Sequence, residues 1–128
     1  MILDTSAIVA MLLREPGHAA LYRKVAGAPS VGVGAPTLVE SGTVLSSRLR
    51  SDARGLLARF LQEAEATVVP FGEPHWAAAH QAWLRFGKGR HPAALNLGDC
   101  ASYATAAVAR EPLLCTGTDF PQTDLPLA

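Results

Sequence analysis

The sequence is poor in cysteine, has no excess of either charge and contains no long apolar run, and each shortage argues against a class of protein. Its two cysteines, Cys100 and Cys115, have neither CxxC spacing nor a histidine at ligand distance in sequence. That counts against a disulfide framework or a zinc module, and two buried free thiols are expected. The 11 basic residues match the 11 acidic ones, which counts against strong nonspecific affinity for nucleic acid but leaves room for a local basic patch. The longest stretch without Asp, Glu, Lys or Arg, residues 25–39, is interrupted by Pro29, Pro36 and three glycines and is too short to cross a bilayer. A strand beginning at Met1, with no basic leader and no small-residue cleavage site, predicts no secretory signal and a cytoplasmic location.

What is present describes one compact domain over residues 1–128, with 49% hydrophobic and 17% charged residues. A chain of this length buries about two-thirds of its unfolded surface without a metal or disulfide staple. Met1-Ile2-Leu3 reads as a short buried strand running into Asp4, where Thr5 and Ser6 open an apolar helix over 7–13. Helices are predicted over 18–26, 36 to about 50, 53–64 with Asp52 as cap, 73–86 and 100–109, and strands over 30–34, 67–70 and 112–116. The tail from Asp124 offers a short edge strand. Gly32-Val33-Gly34 suggests a nucleotide fingerprint only superficially, because Thr37 stands where the third glycine belongs. Trp76, Ala79, Trp83 and Phe86 share one face of the 73–86 helix, and such a stripe is more often core or dimer interface than a platform for bases.

Strand and helix alternate, so the expected architecture is α/β, a three-layer α/β/α sandwich around a mostly parallel sheet of four to five short strands. In such sheets ligands gather at the carboxyl ends of the strands. Four acids stand at comparable places: Asp4 and Asp119 after strands, Glu40 and Asp99 in expected first helical turns. Taken singly, Asp4 reads as a helix cap and Glu40 as a complement to its helix dipole. Taken together, they describe a cluster that must hold protons or a divalent cation, because carboxylates about 4 Å apart repel by roughly 4 kcal/mol at an effective dielectric near 20. Oxygen ligands alone favour Mg²⁺ or Mn²⁺, which suit phosphodiester hydrolysis. Lys88 and Arg90 lie in the one basic loop, Gly87 to Pro92, which either meets RNA phosphates or an acidic partner or is simply solvated.

With those residues in view, Met1-Ile2-Leu3-Asp4-Thr5-Ser6-Ala7, Glu40, Leu95-Asn96-Leu97-Gly98-Asp99-Cys100 and Leu113-Leu114-Cys115-Thr116-Gly117-Thr118-Asp119-Phe120 together resemble the PIN domain of VapC-type toxins across essentially the whole chain. The resemblance implies a PIN-like fold and a Mg²⁺-dependent endoribonuclease acting as the toxin of a type II toxin–antitoxin pair. It implies Asp4 and Asp99 as the principal metal ligands, with Glu40 and Asp119 binding directly or through water and orienting the attacking water. Thr5, Ser6 and Thr116 are implied as hydrogen-bonding support or phosphate contacts. It implies as partners an RNA substrate, a small VapB-type antitoxin covering the active site, and a second copy in a homodimer. Thr118 stands where members of the family often carry a further acid, which weakens the case for a second metal.

Two other readings compete. A PIN-like binding module without turnover would serve as a scaffold or titrate an antitoxin, but retention of all four acids argues against it. A haloacid-dehalogenase-like phosphatase would use Asp4 as nucleophile, but that pattern wants an acid two residues later, where Ser6 stands.

Overall fold

The computed structural model describes residues 1–128. Four short strands, β1 (Ile2–Leu3), β2 (Gly32–Gly34), β3 (Thr67–Val69) and β4 (Leu113–Leu114), pair in parallel in the order β3-β2-β1-β4. The chain therefore starts in the middle of the sheet, moves outward through β2 and β3, and returns to the far side of β1. Parallel crossovers are right-handed, so the outward and returning connections fall on opposite faces. The outward ones carry α1 (Thr5–Leu12), α2 (His18–Gly27), α3 (Ala35–Leu49) and α4 (Arg54–Glu63); the returning one carries α5 (Glu73–Phe86) and α6 (Leu97–Ala109).

Two hydrophobic cores follow. One joins Met1, Leu3, Val33, Leu45, Leu57 and Leu114 to the first four helices, and the other joins Ile2 and Leu113 to Phe86, Tyr103 and Phe120. Ile2 and Leu3 face opposite sides because side chains alternate along a strand. This is the expected three-layer α/β/α sandwich. The tail adds only a bridge, Leu127 beside Leu113, closed by Ala128 N–H to Leu113 O at 2.9 Å. No helix is long and apolar enough to cross a membrane.

The small residues of α6 let it sit deep in the fold, buried from Cys100 through Ala106. Gly34 contributes to this enclosure, since a Cβ there would stand 2.5 Å from Thr105 Oγ1. At Gly32 a Cβ would come 2.9 Å from Ile2 Cδ1. The paired glycines of β2 thus serve close packing, consistent with the absence of a nucleotide fingerprint.

Three local expectations change. The fourth helix begins at Arg54 with Ala53 at its N-cap; Asp52 lies one residue earlier, where it still accepts the Arg54 N–H at 3.0 Å and pairs with that guanidinium at 2.8 Å. The aromatic stripe of α5 is not core along its length: Ala82 and Phe86 are buried, but Trp76 is 65% exposed and Trp83 40%. Ala82 and Phe86 enter the core against α6, while the two indoles border a groove beside it. Cys100 is buried as expected, whereas Cys115 is only partly so.

Candidate functional site

The direction of the chain changes at β1, with β2 on one side and β4 on the other, and a crevice opens at such a switch point beyond the strands' carboxyl ends. Asp4 leaves β1 there and is 3% exposed. It is indeed the N-cap of α1: Oδ2 accepts the Ser6 amide at 2.9 Å and the Ser6 hydroxyl at 2.6 Å. Capping occupies only one oxygen. Oδ1 is buried without any hydrogen-bond partner, an arrangement that is costly for a carboxylate unless a cation or proton completes it. The cap and site readings of Asp4 are therefore compatible, one per oxygen.

Asp99 is held by a reciprocal capping box at the start of α6. Its Oδ2 accepts the Asn96 N–H at 3.0 Å while Asn96 Oδ1 accepts the Asp99 N–H at 2.9 Å. Burial pushes its carboxyl up to about 6, opposed by the Asn96 amide bond and reinforced by the charges of Asp4, Glu40 and Asp119. Acids from three other segments thus bear on Asp99.

Glu40 lies further into its helix than expected. Because α3 begins at Ala35, no acid occupies its first turn, and the dipole argument for Glu40 loses its basis. The carboxylate instead lies over Gly98 in the first turn of α6, where an added Cβ would overlap it, 2.7 Å from Cδ. Asp119 is exposed, immediately before a 3₁₀ turn (Phe120–Gln122) whose Phe120 is anchored in the core.

The remaining candidates separate. Ser6 touches Asp4, and its hydroxyl also accepts the Thr116 backbone N–H at 3.0 Å, tying the end of β1 to the loop after β4. Thr116 takes part through its backbone. Thr5 turns away into the seam between α1 and α3, accepting the Ser41 hydroxyl at 3.3 Å. Arg90 is committed to α5, with Nε donating to Leu84 O at 3.1 Å and the guanidinium 4.9 Å above the Trp83 ring; Lys88 is exposed. Cys115, not picked out from sequence, adjoins the cluster: burial and then the Asp4 charge push its thiol up to about 11. A neutral thiol of that kind is a poor nucleophile.

An all-oxygen donor set suits a hard divalent cation, and the unpartnered Asp4 Oδ1 offers it a ligand. Asp4 and Asp99 fit as holders, with Glu40 and Asp119 in support. No three such side chains surround a common point.

Fold and site together define an α/β protein with acids grouped at the carboxyl edge of a parallel sheet. The profile of the PIN domain matches residues 1–125. Ribonuclease VapC36 of Mycobacterium tuberculosis is 49% identical over 126 residues, 98% of this chain and 91% of the relative. Ribonuclease VapC of Mycolicibacterium smegmatis is 39% identical over 125 residues, 98% and 97% of the two. The chain belongs to the PIN domain family, among relatives named VapC ribonucleases. Its fold is also that of solved structures of low identity. Mycobacterium tuberculosis VapC20, titled a Sarcin-Ricin loop cleaving toxin, superposes with a TM-score of 0.80 at 19% identity, covering 99% of this chain and 97% of that one. A toxin-antitoxin complex from Klebsiella pneumoniae gives 0.71 at 16%, covering 99% and 95%.

Proposed function

We propose that this chain is a Mg²⁺- or Mn²⁺-dependent endoribonuclease, the toxin of a type II toxin–antitoxin pair acting in the cytoplasm. The observation that carries the reading is geometric: Asp4 is buried with Oδ1 unpartnered, and the Glu40 carboxylate lies against Gly98 in the helical turn that carries Asp99. The names of the relatives supply the substrate class.

Asp4 and Asp99 would hold the cation, which when bound supplies charge neutralisation at a phosphoryl oxygen and an acidified water. Ser6 fixes Asp4 through Oδ2 and leaves Oδ1 unpartnered. Glu40 and Asp119 orient the attacking water and accept its proton. Lys88, exposed in the one basic loop, meets backbone phosphate. A VapB-type antitoxin silences the enzyme by laying an arginine against the same carboxylates. A homodimer is supported by an apolar groove of about 570 Å³ lined by Phe71, Trp76, Trp83 and Leu97, with Leu97 itself 86% exposed. A phosphatase using Asp4 as nucleophile gains nothing from this arrangement, because Ser6 is engaged in fixing Asp4 rather than supplying acid chemistry.

The test is cleavage of a mixed cellular RNA pool by the purified protein with Mg²⁺, with EDTA, and with Asp99→Asn as control. Discrete Mg²⁺-dependent fragments that vanish in Asp99→Asn and Asp4→Asn are expected. A folded, metal-binding protein that cuts nothing would instead be the binding module without turnover.

A further inference from the structure

Gly98 occupies the first turn of α6, and its own backbone does not require glycine. Its φ lies outside the left-handed region, unlike Gly17, Gly89 and Gly117, and alanine is the better helix former. The requirement comes from across the site. A Cβ at Gly98 would sit 2.7 Å from Cδ and 2.9 Å from Oε1 of Glu40, closer than real Cβ atoms approach. Glu40 is beyond the first turn of its own helix, so the helix N-terminus its carboxylate meets belongs to α6, where an anion is favoured.

We propose that Gly98 is a positioning residue: by lacking a side chain it leaves the slot through which the Glu40 carboxylate reaches the neighbourhood of Asp99. The inference rests on the nuclease reading above and adds to it a residue with no chemistry of its own. The overlapped atoms are the far end of a flexible side chain, so a methyl at position 98 displaces the carboxylate without breaking the fold. The gain in helix propensity and the loss of Glu40 placement can then be read apart.

The test uses the full chain as wild type, Gly98→Ala, Glu40→Ala, Gly98→Ala with Glu40→Ala, and Gly98→Ala with Glu40→Asp. Thermal unfolding in EDTA, Mn²⁺ titration and RNA cleavage are measured on each. Gly98→Ala is expected to raise Tm when Glu40 is absent and to raise it less, or lower it, when Glu40 is present. Gly98→Ala alone is expected to weaken Mn²⁺ binding and to lower cleavage roughly ten- to a hundredfold, the scale of a misplaced catalytic group. The shorter acid of Glu40→Asp recovers part of both. Additive Tm shifts, or a Gly98→Ala protein that binds Mn²⁺ and cleaves like wild type, would overturn the proposal. If the wild type cuts no RNA, the nuclease reading fails separately; non-additive Tm shifts with weakened Mn²⁺ binding still uphold the role of Gly98, and additive shifts still overturn it.

Discussion

Ser6 donates both its amide and its hydroxyl to a single oxygen of Asp4, at 2.9 and 2.6 Å, leaving the other oxygen buried and unpartnered. The same hydroxyl accepts the Thr116 amide, so one small side chain sets the Asp4 carboxylate and joins the two loops that flank it. Ser6→Ala keeps the amide bond and loses the rest. It should cost about 1 kcal/mol in stability, the net worth of a hydrogen bond, and lower cleavage by roughly tenfold as Asp4 becomes free to rotate. Thermal melts and kcat for the variant check this; cleavage at the wild-type rate would detach Ser6 from the site.

The raised carboxyl of Asp99 has a thermodynamic consequence whose sign is fixed. In the unfolded chain it ionises near an ordinary value of about 4, and in the folded chain at about 6. The folded state binds the proton more tightly, so this group's contribution to stability is full at low pH and is lost as pH rises through that window. Asp99→Asn never ionises. In EDTA it should be more stable than the parent above about pH 6, by ~1 kcal/mol after discounting for partial exposure, and show no advantage below about pH 4. Melting curves across pH 4–8 read the crossover, and a constant difference at every pH would refute the electrostatic origin.

Cation binding requires the acids ionised, so it must compete with that same proton. Calorimetric Mn²⁺ titrations near pH 6, in buffers of different ionisation enthalpy, should show proton release that disappears by about pH 8. Cleavage should rise with pH over the same range and stop in EDTA. Proton-independent binding would place the cation away from Asp99.

The exposed indole of Trp76 and the side chain of Leu97 border one apolar groove, and aromatic and large aliphatic side chains supply most of the energy of protein interfaces. Trp76→Lys combined with Leu97→Lys should convert a dimer into a folded monomer in sedimentation experiments, with a weakening of at least about tenfold. A wild-type protein that sediments as a monomer at every concentration would argue against a second copy on this face.

Where chemistry is local, the sequence alone was enough. An apolar triplet followed by Asp4 and two hydroxyl residues specifies a strand that ends in a capped helix. Alternation of strand and helix with right-handed crossovers determines a parallel sandwich whose ligands are expected at the strand ends. The places of Asp4 and Asp99 were legible for the same reason, one directly after a strand and the other in the first turn of a helix. Tertiary structure decided what depends on distant neighbours. That α3 begins early enough to move Glu40 out of its own first turn, and that Glu40 meets Gly98 of another helix, follows from how α3 and α6 pack across the edge of the sheet. Trp76 and Trp83 border an open groove beside α6 while Ala82 and Phe86 of the same helix enter the core, a division that only the packing of α5 on α6 sets. The unpartnered oxygen of Asp4 exists only once burial removes water from one side of a carboxylate whose other side is already bonded, and burial is a property of the whole fold rather than of any segment.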